Sequence, residues 1–409
     1  MGKMTKLEKQ WILYDVGNSA FTMLCTTIIP IYFKNLATSA GMSLADSTAY
    51  LSYALSISTV IVALLGPTLG TLADTNGYKK PLFGTFFMIG VVGCLGLSVP
   101  KGWLAFLLVL ILAKAGYNMS LIFYDSMLSD VTTDERMDVV SSHGYAWGYI
   151  GSCIPFVAGL ILILFADKIG ISAVTATMGA IAITAIWWFF VTLPLIKNYQ
   201  QIHGIEKKDS AWKESMQRLW AMLKRLPQNK PIFYFLIAFF FYIDGVYTII
   251  DLATSYGKDV GITDTHLLLA LLLTQIVAFP CSILFARFSK KFKSENLIQI
   301  CIIGYIGIVV FALQLDKAWE FWFLAVCVAV FQGAIQALSR SYFAKIIPKE
   351  KSSEYFGFYD IFGKGAAFFG TTLMGISTQI SGSSKTGVAL LGVMFIFGFI
   401  MFRKAGKCK

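Results

Sequence analysis

Charge is scarce in this chain. Asp, Glu, Lys and Arg together make up 14% of its 409 residues against 56% hydrophobic residues, and the mean hydropathy is +0.68. No globular surface could be covered with so little charge, so a soluble domain is excluded and a polytopic membrane protein is indicated. Histidine is rarer still: His143, His203 and His266 are the only three, scattered along the sequence. No zinc motif, nucleophile elbow or phosphate loop accompanies them, which argues against an enzyme and against a bound metal or cofactor. Cysteine supplies no framework either. Six of the seven, Cys25, Cys94, Cys153, Cys281, Cys301 and Cys327, sit in apolar stretches without a CxxC pair, so neither disulfides nor a zinc site is expected.

What fills the chain is a series of twelve apolar stretches, beginning near Tyr14, Tyr50, Pro81, Trp103, Ser141, Ile171, Ile232, His266, Leu297, Phe321, Tyr355 and Lys385. Each is long enough to cross about 30 Å of hydrocarbon at ~1.5 Å per residue. The expected fold class is all-α, with twelve transmembrane helices. A net charge of +11 would suit nucleic acid, but the placement of Lys and Arg decides otherwise. They concentrate at the amino end (Lys3, Lys6, Lys9), at Lys79 and Lys80, in the loop Lys197 to Lys230, and at Arg287 to Lys293, Arg340 to Lys351 and Arg403 to Lys404. The alternate connections carry little beyond Lys34, Lys101, Lys168, Lys258, Lys317 and Lys385. The rich side is the cytoplasm. A multi-pass protein of the cytoplasmic (inner) membrane is therefore expected, with both termini in the cytoplasm, the lipid bilayer as partner and no nucleic acid. The charged first ten residues, followed by a helix without a small-residue cleavage site, read as a signal anchor.

Four of the stretches carry a polar stripe. In the first, Asp15, Asn18, Ser19, Thr22 and Thr26 share one helical face; in the seventh, Asp244, Tyr247, Thr248, Asp251 and Ser255 repeat the same offsets. The fourth shows Lys114, Asn118 and Asp125, and the tenth Gln332, Gln336, Ser339 and Arg340. A water-lined path through a membrane needs such faces.

The hydrophilic segment 197–230 divides the chain into a six-helix bundle (1–196), an amphipathic linker and a second six-helix bundle (231–409). Within the linker Trp212, Met216, Leu219, Leu223 and Leu226 oppose Lys213, Arg218 and Lys224, which suits a helix on the cytoplasmic leaflet. Pro67 and Pro280, like Gly144 and Gly357, are 213 residues apart, pointing to a parallel repeat with a pseudo-twofold axis along the membrane normal. Gly144, Gly148, Ser152 and Pro155 give the fifth helix a face that another helix can approach closely.

The loop Gly70 to Lys80, GTLADTNGYKK, resembles the signature of the major facilitator superfamily, with a tight turn at Gly77 and an acid, Asp74, free to meet a helix amino terminus or a base. In the second half the equivalent loop reads LFARFSKKFK, where Arg287 replaces the acid and Lys290 the turn glycine. The segments YDVGNSAF, FYDSMLSDV, SSHGYAWGYIG, YIDGVYTI, ALSRSYFAKIIP and FGFYDIFGKG together are similar to the vacuole-effluxer-like branch, whose fungal members are autophagy-related vacuolar amino-acid effluxers. The resemblance implies a twelve-helix secondary carrier, with amino-acid export in the fungal members. Short loops and a compact chain imply a bacterial member.

Burying an ionised side chain at the bilayer centre costs roughly 2.5–3.5 kcal/mol on insertion scales, so retained charge is a clue. Lys114 has no acid on its own helix one turn away, leaving a substrate carboxylate, a gate or a structural ion pair as its use. Lys364 follows Asp360 by four residues, the spacing of an intrahelical pair. Asp244 lies about 18 Å into its span, near midplane, as a proton-coupling or substrate-amine site, with Asp251 a weaker second. Asp15, nearer the cytoplasmic entrance, suits a gate or a helix-terminal contact. Asp125 and Asp130 are expected to pair with Arg340 and Lys345 when the inside is shut, and Tyr117, Tyr124, Tyr242 and Tyr247 to line the cavity.

The expected activity is therefore secondary transport of a small polar or zwitterionic solute, an amino acid favoured, by alternating access in a monomer, with protons or another coupling ion. Export of amphipathic lipid or drug-like molecules, and a non-transporting membrane sensor on the same fold, are the alternatives.

Overall fold

The computed structural model of the chain describes residues 4–99, 102–206, 211–259 and 263–407. Lys101 and the side chains of Trp212, Lys213, Arg218, Leu223, Ser255 and Lys258 lie outside the described residues. Fifteen α-helices account for most of them: α1 Lys6–Thr26, α2 Ile28–Ser39, α3 Leu44–Ala73, α4 Lys79–Leu97, α5 Trp103–Ser126, α6 Leu128–Val131, α7 Asp134–Leu164, α8 Ala173–Asn198, α9 Ala211–Arg225, α10 Lys230–Asp259, α11 Asp264–Phe288, α12 Ser294–Ala312, α13 Ala318–Ile346, α14 Ser352–Ser381 and α15 Ser384–Lys407. Among the described residues eleven stretches are long and apolar enough to cross a membrane. With the 30-residue α14 they make the twelve spans of the expected fold.

Local chemistry sets the helix limits. Thr5 opens α1 with a capping box, its hydroxyl accepting the Glu8 amide at 3.1 Å while the Glu8 carboxylate accepts the Thr5 amide at 2.8 Å. Pro30 has no N–H to give the Thr26 carbonyl, and the first span breaks there into α1 and α2. Ser43 and Ser172 cap α3 and α8 in the same way as Thr5. Three helices begin well before their apolar stretches. α1 starts at Lys6, α3 at Leu44 and α7 at Asp134, because their polar first turns remain helical outside the hydrocarbon that hydropathy registers.

Packing resolves two compact units, Met1–Val131 with Trp147–Trp212 and Glu350–Gly357, and Thr132–Ala146 with Lys213–Lys349 and Phe358–Lys409. In the first, α5 packs on α3 and α4, and α8 on α1 and α4. In the second, α13 packs on α11 and α12, and α15 on α10 and α12. These are the same pairings six spans apart, so the repeat is present in the packing. Each unit also takes in one helix start: the first residues of α14 belong to the first unit and the first turns of α7 to the second.

At the α14 start the backbones nearly touch. A Cβ on Gly70 would come within 2.4 Å of the Ser353 carbonyl oxygen, so no side chain fits at the first position of the loop signature. Gly70→Ala should cost about 1–3 kcal/mol by overpacking and lower the melting temperature in detergent by several degrees. Gly84→Ala, whose Cβ would meet nothing within 4 Å, should leave it unchanged or raise it slightly.

Candidate functional site

In the first unit the polar face of α1 turns inward. Tyr14, Asp15 and Asn18 are buried, and the Asn18 amide donates to the Asp15 carboxylate at 3.4 Å. Asp15 lies in the third turn of α1, because the helix begins at Lys6, so the helix-terminal contact expected of it is replaced by this side-chain bond. The Thr22 hydroxyl is 2.7 Å from that of Tyr117 on α5, and the Tyr14 hydroxyl 2.5 Å from that of Ser120. Lys114, half-buried on α5, holds its ammonium 5.1 Å from the Tyr117 ring centroid and 5.9 Å from that of Phe21. No described carboxylate lies within ion-pairing distance of it. Ring faces recover about 0.5–2 kcal/mol each for a cation, less than a full counter-charge would. Asn118 is buried one turn further on.

The second unit presents the matching face. Asp244 on α10 is wholly buried; its Oδ1 accepts the Gly370 amide at 3.0 Å and the Thr248 hydroxyl at 3.3 Å. Its Oδ2 is buried with no hydrogen-bond partner among the described residues. Tyr247 is half-buried and Asp251 exposed. The hydroxyls of Tyr242 and Ser339 are 2.7 Å apart, the counterpart in this unit of Tyr14 with Ser120. Gln332 is buried and its carbonyl accepts the Gln336 amide at 2.9 Å. Beside this face lies a cavity of about 120 Å³, mostly apolar, where Thr248, Thr274, Gln275 and Gln332 supply the polar lining. Lys364 pairs with Asp360 on α14, as the spacing predicts.

Charge gathers at the helix starts. The Gly77 backbone takes φ +86°, the left-handed turn that favours glycine, and brings Asp74 beneath α14. The Asp74 carboxylate accepts the amides of Ser353 at 2.8 Å and Glu354 at 2.9 Å, filling two of the four unpaired donors of that helix end. Lys79, also wholly buried, reaches Asp130 at 3.3 Å and the Ser352 hydroxyl at 3.0 Å. Asp130 further accepts the Tyr199 hydroxyl at 2.5 Å and the His203 amide at 2.8 Å. Burial pushes the Asp74 carboxyl up to about 6, against Lys79 and the two amides. For Asp130 burial works upward too, but Lys79, Tyr199 and His203 outweigh it and hold the carboxyl below its ordinary value.

The second unit builds a comparable cluster around Asp138 on α7. It accepts the Ser341 hydroxyl at 2.5 Å and the Ser294 hydroxyl at 2.6 Å, and pairs with Lys345 at 2.6 Å. Arg340 donates to the Ser141 hydroxyl at 2.9 Å and carbonyl at 3.1 Å, over the Tyr145 ring at 4.6 Å. The expected partners are thereby revised: Asp130 is satisfied by Lys79, and Lys345 by Asp138, each inside its own unit. Asp125 is half-buried on α5. Tyr124 is packed between Trp11 and Tyr14 rather than lining a cavity. Sequence periodicity passed over Lys79, Asp138, Ser141, Tyr199 and His203, none of which lies on the four stripes. The Tyr–Ser pairs could have been found by aligning Ser120 with Ser339 and Tyr14 with Tyr242.

The profile described as "Vacuole effluxer Atg22 like" matches residues 5–404, nearly the whole chain. The chain belongs to this family. An MFS-type transporter of Bacillus subtilis, YxiO, described as uncharacterized, is 43% identical over 406 residues, covering 98% of this chain and 95% of that protein. Autophagy-related protein 22 of Eremothecium gossypii is 23% identical, over 87% of this chain and 76% of its own. Among solved structures, the human organic anion transporter MFSD10 superposes with TM-score 0.77 at 11% identity, over 97% of this chain and 99% of its own. The transporter FucP does so with 0.73 at 13%, over 98% and 97%. These likenesses fix the major facilitator fold. Like its relatives, this member of the Atg22-like family is a multi-pass secondary transporter and not an enzyme.

The capped Asp74 has a stated pH dependence. With its carboxyl raised from an ordinary 3.8 to about 6, the folded state holds more protons than the unfolded, so this contribution to stability is full below about pH 4 and lost as pH rises through 6. Acidification from pH 7 to pH 5 should raise the melting temperature by a few degrees through this group, and Asp74→Asn should remove that part of the rise.

Proposed function

We propose that this transporter moves a small polar or zwitterionic solute, an amino acid favoured, by alternating access and in exchange or company with protons. It sits in the cytoplasmic membrane of a bacterium with both termini inside, so that the Asp74 and Asp138 ends face the cytoplasm and act as its gate. The observation that carries this reading is the Asp244 carboxylate, wholly buried in a span, whose Oδ2 has no partner among the described residues. An unpaired charge there would meet the insertion cost in full, whereas a proton on Oδ2 or a substrate ammonium relieves it. Lys114, whose ammonium has ring faces beside it and no carboxylate in ion-pairing distance among the described residues, is the complementary contact for a carboxylate. Asn18, Asn118, Tyr247 and Gln336 supply neutral polar contacts, while Asp15, Asp251 and Lys364 are secondary sites. Gly77 shapes the gate loop, and Asp125, Asp130, Arg340 and Lys345 complete the gate.

A second reading has its own support. The cavity beside Thr248 is lined mainly by Ile249, Ile250, Phe321, Leu324, Val328 and other apolar groups, which suits an amphipathic lipid or drug-like solute.

Proteoliposomes with an imposed pH gradient separate these readings. Asp244→Asn should abolish gradient-driven accumulation of an amino acid yet retain its counterflow; retained accumulation removes the proton role. Lys114→Ala should raise the apparent KM about tenfold or more, and an unchanged KM removes the carboxylate contact. Uptake of amphipathic amines or lipids with no amino-acid flux would select the second reading.

A further inference from the structure

After α8 the chain does not leave the bundle at once. The Ile205 amide donates to the Asp74 carbonyl at 2.7 Å and the Ile205 carbonyl accepts from Asn76 at 2.9 Å, closing a parallel bridge between the linker and the signature loop. The Gln201 side chain accepts the Gly77 amide at 3.1 Å and donates to the Ala73 carbonyl at 3.1 Å, so it spans the turn. His203 meets Asp130 twice, through its amide at 2.8 Å and through Nδ1 at 2.9 Å, and the Tyr199 hydroxyl donates to the other oxygen of the same carboxylate. Asp130 is thus shared between the linker and Lys79, whose ammonium goes on to Ser352 at the α14 start.

We infer that the segment Tyr199–Ile205 is a strap that sets the strength of the Asp74 latch, with Tyr199, Gln201 and His203 as its positioning residues. The inference rests on the gate reading of the preceding subsection and names a regulator of that gate. Two routes run from the strap to α14. One is backbone: the bridge at Asn76 and the Gln201 clamp fix the loop conformation that aims the Asp74 carboxylate at the Ser353 and Glu354 amides. The other is charge: the strap supplies Asp130 with the Tyr199 hydroxyl and the His203 amide as further donors, so this buried carboxylate holds Lys79 where it can also reach Ser352. Without the strap, Asp130 would be a buried carboxylate with Lys79 as its one close cation, and the pair would draw together away from α14. The linker joining the two halves is therefore a lever on the gate. Displacement of the amphipathic helix α9, which follows a few residues later, would loosen it.

The test is hydrogen–deuterium exchange on the full-length protein in lipid nanodiscs, read in the peptide covering residues 350–358. The combined variant Tyr199→Phe, Gln201→Ala, His203→Ala should speed exchange of the Ser353 and Glu354 amides about tenfold. His203→Gln alone, which keeps a donor for Asp130, should stay within about twofold of wild type, and Lys224→Gln, at an exposed position of α9, should change nothing. Asp74→Asn is the reference and should speed the same peptide at least as much. If Asp74→Asn does so while the combined variant leaves the peptide at the wild-type rate, the strap is no positioning device and the inference is overturned. If Asp74→Asn has no effect, the gate reading itself falls, and the inference with it. Should the combined variant fail to stay monodisperse, Tyr199→Phe alone decides by the same readout, with about threefold faster exchange expected and an unchanged rate overturning the proposal.

Discussion

A helix start buried in protein leaves up to four N–H groups unpaired, and the protein must answer each one. Here the answer at α14 is the carboxylate of Asp74, taken from a loop far away in sequence, with Lys79 adding a second hold on Ser352. Much of the surrounding structure serves that contact. Gly70 brings the backbones close enough, Gly77 turns the loop, Asp130 steadies Lys79, and the linker closes over all of them. The interaction is made of a charge, two amides and a helix dipole, and none of these needs a covalent change to be undone. It is the kind of contact a gate can make and break.

The second unit gathers charge at its helix ends in a different way. Its loop has Arg287 where the first has Asp74, and the acid comes instead from Asp138 on α7, held by Ser294, Ser341 and Lys345. The two clusters are related in logic but not in chemistry: one acid caps a helix with backbone amides, the other collects hydroxyls and an ammonium. The first couples its strength to a carboxyl that burial pushes up to about 6. Away from these ends, Asp244 in one unit and Lys114 in the other have no ion-pair partner among the described residues.

The fold was largely legible in the sequence, because period and length are local properties. Twelve apolar stretches, the basic connections and the loop signature required no tertiary knowledge, and the Asp360–Lys364 pair followed from spacing alone. The helix starts were misplaced where polar first turns continue a helix beyond the hydrocarbon, as at Asp134 and Lys6. The polar faces of α1 and α10 were visible as stripes, but a stripe says which residues share a face and not what lies opposite. That is why the sequence points Asp125 and Asp130 toward Arg340 and Lys345, while in the structure Lys79 meets Asp130 and Asp138 meets Lys345. The strap was invisible for a further reason: Gln201 and His203 act through main-chain geometry that leaves no periodic signal.

The central claim is that the contacts at the Asp74 end are formed in one state of a transport cycle and broken in another. The most direct measurement is the labelling rate of a Ser353→Cys variant, in a background freed of native cysteines, by a membrane-impermeant thiol reagent applied from the side of the termini. The protein would be reconstituted in liposomes with and without a pH gradient and a mixture of proteinogenic amino acids. The account predicts slow labelling at rest and labelling about tenfold faster during cycling. Equal rates under both conditions would contradict it.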